Sequence, residues 1–73
     1  MVQRGGTTLW TYEYGIRCVL LRYDETRYQL RLVRALGTIK TDLFDGYASA
    51  VAASWNWFDE LNRQYRGQQH NTV

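Results

Sequence analysis

Apolar and polar side chains alternate along the chain up to Phe44, which is the pattern of half-buried β-strands. The alternating stretches are rich in Leu, Val, Tyr, Thr and Trp, and short segments containing glycine or acidic residues separate them. Connections of this length favour hairpins between neighbouring strands. The pattern therefore predicts a four-stranded antiparallel β-meander, with strands at 8–14, 16–23, 28–35 and, with the weakest signal, 38–44.

Beyond Phe44 the spacing of apolar side chains lengthens to three and four residues, which is the period of an α-helix. A helix is predicted at about 46–66, with Asp42 or Asp45 as the N-cap acceptor and Gly67 just past its end. Its predicted core-facing stripe consists of Tyr47, Val51, Ser54, Trp55, Phe58, Leu61 and Tyr65. The expected fold class is α+β, a ββββα arrangement with one C-terminal amphipathic helix packed on one sheet face.

The two ends of the chain show neither the alternation of a strand nor the three- and four-residue spacing of a helix. Residues 1–6 and 67–73 carry glycine and amide side chains without a repeating apolar pattern, and we expect both to be disordered tails. The folded body is expected to be a single domain at 7–66, because a chain of 73 residues leaves room for one small core.

The lengths of the hairpin loops determine which strand residues share a face, and a slip of one residue inverts the assignment. Two-residue loops at 14–15 and 36–37, with a four-residue loop at 24–27, bring one large apolar set together. This predicted core face comprises Trp10, Tyr12, Val19, Leu21, Tyr23, Tyr28, Leu30, Leu32, Ile39 and Leu43. On the predicted outer face, Arg31 opposes Asp42 as a favourable cross-strand pair. The apolar residues expected on that outer face are Leu9, Ile16, Cys18, Leu20, Val33 and Ala35.

The cysteine and histidine content bears on how so small a domain is stabilised. Cys18 is the single cysteine, so an intramolecular disulfide cannot form, and Cys18 with His70 gives two of the four ligands of a structural zinc site. We therefore expect no metal and no cofactor.

A lone cysteine also fits a reducing compartment, and the longest near-apolar stretch, 16–23, is too short to span a membrane. The expected location is the cytoplasm.

Catalytic motifs are not recognisable in the sequence, and we expect the protein not to be an enzyme. Two acidic pairs are adjacent in the sequence, Asp24-Glu25 and Asp59-Glu60. The first lies in a predicted turn, and in the second Asp59 can form an ion pair with Arg63 one helical turn later. Neither acidic pair therefore requires a role in acid–base catalysis. Cys18 is interpreted as a small apolar residue, because a reactive thiol needs exposure and nearby positive charge. A ligand-binding or enzymatic function formed between subunits is left open.

Surplus apolar surface favours an interaction or assembly module, expected to be a homodimer or a higher homo-oligomer. The predicted helix has a second stripe in which Trp57 lies beside the small residues Ala50 and Ala53. We expect this stripe to contact another subunit, because tryptophan is enriched at interface hot spots. The competing contact site is the outer-face cluster Ile16, Cys18 and Leu20, and the alternative for Trp57 is that it packs on the protomer's own core.

Arginine content supports a second hypothesis, that the protein binds single-stranded nucleic acid. The net charge is +2, and eight of the nine basic residues are arginine. Candidate contacts are Arg17, Arg22 and Arg31, because cations on a sheet face or in a dimer cleft can contact phosphates. The predicted register places the aromatic residues under the helix, away from bases, so this function is the alternative to protein interaction.

Overall fold

The computed structural model describes residues 6–70, which form a four-stranded antiparallel sheet with one helix packed on it. The strand order β1-β2-β3-β4 pairs each strand with its neighbours along the chain and confirms the predicted ββββα fold class. Of the tails predicted at 1–6 and 67–73, residues 1–5 and 71–73 lie outside the described residues. The elements are β1 Thr7–Tyr12, a 3₁₀ turn Glu13–Gly15, β2 Ile16–Arg22, β3 Tyr28–Arg34, β4 Gly37–Phe44 and α1 Tyr47–His70.

The helix begins close to its predicted position and ends later than predicted. The carbonyl of Gly46 accepts the N–H of Ala50 at 3.2 Å, and α1 then continues through Gly67 to His70. The segment 67–70, expected to be part of a disordered tail, therefore has a helical backbone. A glycine inside a helix costs about 1 kcal/mol relative to alanine, and the good helix formers around Gly67 offset that cost.

The turn between β1 and β2 is longer than predicted, and this difference inverts the face assignment of β2. Residues 13–15 form the 3₁₀ turn, in which Tyr14 and Gly15 have φ angles of 71° and 73°, so Tyr12 pairs with Ile16. A two-residue turn would have paired Tyr12 with Arg17 instead. Since paired residues share a face, Ile16 lies on the same side of the sheet as Tyr12.

The β2–β3 turn is also one residue longer than predicted, and this second difference restores the predicted face of β3. Asp24 organises the turn: its Oδ1 accepts the N–H groups of Thr26 at 3.0 Å and Arg27 at 2.8 Å. The Arg27 guanidinium donates to Asp24 Oδ2 at 2.7 Å. As a result Arg22 pairs with Tyr28, and Leu20 pairs with Leu30.

A bulge in the β3–β4 hairpin inverts the predicted face of β4. Ile39 is the extra residue between two pairs, Val33 with Thr38 and Leu32 with Lys40. Leu30 consequently pairs with Asp42, so the predicted pair of Arg31 with Asp42 does not form. The predictions that Ile39 and Leu43 belong to the core are wrong, because both side chains are exposed.

The core lies between α1 and one face of the sheet. From β2 it takes Ile16, Cys18 and Leu20, so the predicted core positions Val19, Leu21 and Tyr23 are wrong, whereas Leu30 and Leu32 of β3 are buried as predicted. The polar Ser54 is also buried, and its hydroxyl donates to the carbonyl of Val51 at 2.7 Å. The buried apolar residues are Trp10, Tyr12, Ile16, Cys18, Leu20, Leu30, Leu32, Ala50, Trp57 and Leu61.

The helix is rotated relative to the predicted orientation. Its most buried positions are Ala50, Ser54, Trp57 and Leu61, whereas Trp55 is half exposed. Small Ala50 and Ser54 allow the backbone of α1 to approach the sheet closely. The stripe predicted to contact another subunit is therefore the helix face that packs on the protomer's own sheet.

Aromatic contacts connect the helix to the edge strand β1. The rings of Trp10 and Phe58 meet edge to face with centroids 5.1 Å apart, and Tyr12 contacts Phe58 in the same way at 5.5 Å. The Tyr12 hydroxyl donates to Asn62 Oδ1 at 2.9 Å. These contacts place α1 against β1, while the opposite side of the helix faces the β3–β4 hairpin and leaves a groove there.

Candidate interaction surfaces

The side chains predicted to form an oligomer interface are mostly buried inside the protomer. Ile16, Cys18 and Leu20 face the helix, so their placement on the outer sheet face is wrong. Trp57 is 6% exposed and packs in the protomer's own core, as the alternative proposed. Ala50 is fully buried and Ala53 is partly buried against the core. None of these six predicted interface residues presents an open surface to a partner.

Trp57 contacts a cation of β4 within the protomer. The Lys40 ammonium lies 4.8 Å from the centroid of the Trp57 ring, and the same ammonium donates to Glu60 Oε1 at 3.0 Å. Lys40 reaches both partners because the bulge at Ile39 turns its side chain toward the helix. A cation–π contact and an ion pair therefore join β4 to α1 at one point.

The buried position of Cys18 makes its thiol unreactive. Burial raises the pKa of the Cys18 thiol from 9.0 to about 11, because the apolar surroundings disfavour the charged thiolate. The thiolate is the nucleophilic form of cysteine, so the fraction available at neutral pH is very small. The structure agrees with the interpretation of Cys18 as a small apolar core residue.

The face of the sheet opposite α1 is uncovered in the described part of the chain, and we call it the open face. Its central pairs alternate aliphatic and polar side chains: Arg17 with Val33, Val19 with Arg31, and Leu21 with Gln29. Threonines and Leu43 occupy the flanking positions of β1 and β4, namely Thr8, Thr11, Thr38, Thr41 and Leu43. The open face is thus a mixed apolar and cationic surface.

The arginines predicted to bind nucleic acid divide between the two faces of the sheet. Arg17 and Arg31 lie diagonally across β2 and β3 on the open face, and Arg31 donates to Gln29 Oε1 at 3.0 Å. Arg22 pairs with Tyr28 on the helix side, and its guanidinium donates to the carbonyls of Asp24 at 3.3 Å and Glu25 at 3.2 Å. The structure brings two of the three predicted arginines together and separates the third.

Carboxylates are not found at the open-face strand positions of residues 6–70. Asp42, expected there, pairs with Leu30 and so lies on the helix side. Glu13, which follows β1, lies in the 3₁₀ turn, where its Oε2 accepts from Arg66 at 3.3 Å. The charge that balances Arg17 and Arg31 is therefore absent from their own surface in the described residues.

A groove of about 530 Å³ lies between the C-terminal half of α1 and the β3–β4 hairpin. Its floor is apolar and consists of Ile16, Leu32, Trp57 and Leu61. The hairpin side of the rim carries two exposed apolar side chains, Leu36 at 98% exposure and Ile39 at 50%. We refer to this site as the hairpin groove.

Charged and polar groups surround the mouth of the hairpin groove. The Arg34 guanidinium donates to the Tyr65 hydroxyl at 3.4 Å, and within the described residues no carboxylate is within ion-pairing distance of it. On the other side, Glu60 pairs with Lys40 and remains about half exposed. The groove therefore combines an apolar floor with one unpaired cation and one accessible carboxylate.

Sequence reasoning did not identify the hairpin groove, although one signal pointed to it. Leucine is an unusual choice at the tip of a short hairpin turn, where Gly, Asn and Asp predominate. Leu36 occupies that tip, between the paired residues Arg34 and Gly37. The floor could not be recognised from the sequence, because it depends on the inverted face of β2 and on the rotation of α1.

Neither a metal-binding group nor a membrane-spanning helix occurs in the described part of the chain. Among these residues, no three His, Cys, Asp or Glu side chains group closely enough to hold a metal ion. Their helix does not combine the length and the apolar character needed to cross a membrane.

Comparison with known proteins gave no match. No protein-family model, no curated protein and no solved structure matches the chain.

Proposed function

We propose that the protein is a non-enzymatic interaction module of the cytoplasm whose open face binds an acidic segment of a partner protein. The observation that carries the proposal is the arrangement of Arg17 and Arg31 among half-buried aliphatic side chains with no carboxylate at the surrounding strand positions. Buried, protonated Cys18 offers no ready nucleophile, which supports binding rather than catalysis. Cys18 is a free thiol, which fits a reducing location.

The charge of the open face favours an acidic partner over a second copy of the same surface. Arginine forms bidentate hydrogen bonds with carboxylates, and both guanidiniums lie on a face without one. Packing two copies of the open face together would bring four arginines into one interface with no acidic side chain to pair them. Like charges brought together in this way cost free energy and select against that partner.

The size of the open face favours a transient complex. Four strands about 4.8 Å apart and roughly seven residues long cover about 440 Å² of flat surface. A standard stable interface buries about 800 Å² on each partner. The open face alone therefore suits weak, exchangeable binding, in which Val19, Leu21 and Val33 supply apolar contact and the arginines supply orientation and specificity.

Binding of single-stranded nucleic acid is the second candidate, and the same carboxylate-free arginines favour it. The open-face strand positions carry no aromatic ring on which a base can stack, and Tyr23, beyond the end of β2, is instead covered in part by Arg27 at 5.1 Å. Two arginines neutralise two phosphates, so log K would fall with log salt at a slope of only about 1.4. Aliphatic residues at the centre of the face are better matched by a protein.

The test compares two fluorescent probes by anisotropy: a peptide that alternates glutamate with leucine or valine, and oligothymidylate. The double variant Arg17→Gln/Arg31→Gln should weaken peptide binding at least about tenfold, in the range expected when charged interface pairs are removed. The control Arg63→Gln removes one exposed helix charge and should leave binding unchanged.

The two probes separate the two candidate functions. Preferential binding of the peptide, lost in the double variant, supports the proposal. Stronger binding of oligothymidylate, with a salt slope of about 1.4 that becomes smaller in the double variant, would replace it with the nucleic-acid function. Equal peptide affinity for the wild type, the double variant and Arg63→Gln would refute the open face as the binding surface.

A further inference from the structure

We infer that the protein forms a two-fold symmetric homodimer in which Leu36 of each copy inserts into the hairpin groove of the other. The inference concerns a surface separate from the open face and does not depend on the proposed function. It starts from Leu36, whose side chain is 98% exposed at the tip of the β3–β4 hairpin. A leucine held in water by a tight turn gives up the free energy of burial that apolar side chains normally gain.

The hairpin groove offers the matching cavity on the same surface. Its floor of Ile16, Leu32, Trp57 and Leu61 is apolar, and its volume of about 530 Å³ accommodates an aliphatic side chain. Leu36 and Ile39 form part of the rim, so the protruding side chain and the cavity lie next to each other. A two-fold interface requires this kind of self-complementary patch, because the same surface must act as both partners.

The charges at the rim also fit a second copy. Arg34 has no carboxylate partner among the described residues, whereas Glu60, on the helix side of the groove, is about half exposed and uses Oε1 to accept from Lys40. When a two-fold axis exchanges the hairpin tips, Arg34 of one copy approaches Glu60 of the other, and the contact occurs twice. The reciprocal ion pairs would fix the register of the dimer more than they would increase its affinity.

Two other possible occupants of the hairpin groove would account for fewer of its features than a second copy does. A small apolar ligand would fill the floor but leave Leu36 in water at the tip of the hairpin. An unrelated protein would cover Leu36 but would require a carboxylate for Arg34 from elsewhere, whereas this chain carries one on the opposite rim. The contact involves fewer residues than the 20–30 per partner of a standard interface, so we expect a weak dimer with a dissociation constant in the micromolar range.

Sedimentation equilibrium from low to high micromolar protein tests the dimer. The wild type should show a reversible monomer–dimer equilibrium, and Leu36→Ser should weaken it at least about tenfold, as loss of a central interface anchor does. The matched control is Leu43→Ser, an exposed leucine of the open face, which should dimerise like the wild type. Circular dichroism checks that both variants remain folded.

A double-mutant cycle tests the reciprocal contact. Arg34→Gln and Glu60→Gln should each weaken the dimer, and the double variant should be no weaker than either single variant, because both changes remove the same ion pair. A wild type that is monomeric throughout, a Leu36→Ser variant that associates like the wild type, or a double variant weaker than either single variant would overturn the inference. Arg17→Gln/Arg31→Gln should dimerise normally, so failure of the dimer and failure of the proposed function are distinguishable.

Discussion

Replacing Leu20 and Leu21 separately by alanine distinguishes the two faces of the sheet with one change of chemistry at adjacent positions. Leu20 is 6% exposed beneath α1 and pairs with buried Leu30. Leu21 is half-buried on the open face opposite Gln29. The residue type, the strand and the substitution are the same, so a difference in stability reports which side of the sheet is covered by the helix.

The expected difference follows from burial. Leu20→Ala removes buried methyl groups and leaves a cavity, which costs about 2–5 kcal/mol of unfolding free energy. Leu21→Ala loses roughly half of the 1.5–3 kcal/mol that full burial of a leucine provides, about 1 kcal/mol, and no cavity term applies because solvent fills the space. In a domain of this size 1 kcal/mol corresponds to about 4–8 °C in Tm.

Urea unfolding followed by tryptophan fluorescence and by circular dichroism measures both free energies. Coincident transitions from the two probes establish that unfolding is two-state, which is required before the free energies are compared. We expect Leu20→Ala to be clearly the less stable variant. A Leu21→Ala variant as unstable as Leu20→Ala, or less stable, would mean that β2 presents its opposite face to α1, and the description of the core would be wrong.

The remaining predictions concern Cys18, Asp24 and Tyr12. Cys18 should react slowly with a thiol reagent at about pH 8 in the native protein and rapidly in urea, because its pKa is raised; fast native reaction would contradict its burial. Its burial should contribute stability below pH 9.0 that is lost as the pH rises toward about 11. The Arg27 guanidinium, aided by the N–H of Thr26, lowers the pKa of Asp24 from 3.8 to about 2. The Asp24 carboxylate therefore stabilises the fold above pH 3.8, and this stabilisation is lost as the pH falls through about 2. The Tm difference between wild type and Asp24→Asn should therefore shrink over that window, and a constant difference would argue against the Asp24–Arg27 contact. Tyr12→Phe should lower the unfolding free energy by about 0.5–1.5 kcal/mol and couple to Asn62→Ala in a double-mutant cycle, whereas additive effects would show that the hydrogen bond contributes nothing.

The alternation of polarity and the change of period after Phe44 were sufficient to predict the elements and their order. Side-chain periodicity depends on local backbone geometry, and the burial of one face imposes it on the sequence. The loop lengths were not predictable in the same way, because each turn adopts a conformation selected by specific contacts. The β1–β2 turn requires a positive φ at Tyr14, and the β2–β3 turn depends on two N–H groups donated to Asp24.

The error at the β1–β2 turn and the bulge at Ile39 each shifted the register, and this is why β2 and β4 were assigned to the wrong face. The predictions for Trp10 and Tyr12 of β1 and for Leu30 and Leu32 of β3 are confirmed. Leu9, expected on the outer face, lies at an irregularity of β1 and packs against the core.

The apolar composition did not reveal the errors, since β2 carries Ile16, Cys18 and Leu20 on one side and Val19 and Leu21 on the other. A strand with aliphatic residues on both sides satisfies either register, so the predicted loops gave one apolar face although the structure uses the other side of β2 and β4.

The helix presented the same ambiguity, and side-chain size resolves it. Stripes through Val51, Trp55 and Phe58 and through Ala50, Ala53 and Trp57 are both apolar. Burial favours the second stripe because its small residues allow close approach to the sheet. The apolar surplus attributed to a partner was therefore largely the protomer's own core, and the surfaces that remain open are the open face and the hairpin groove.

An NMR titration of isotopically labelled protein with the acidic peptide shows directly whether the open face is the binding surface. Amide resonances of β2 and β3 around Arg17, Val19, Arg31 and Val33 should shift progressively with peptide concentration, in fast exchange, because the complex is expected to be weak. Resonances of α1 and of the β3–β4 hairpin tip should remain in place. Shifts confined to α1 or to the hairpin groove, or no shifts at high peptide concentration, would refute binding at the open face.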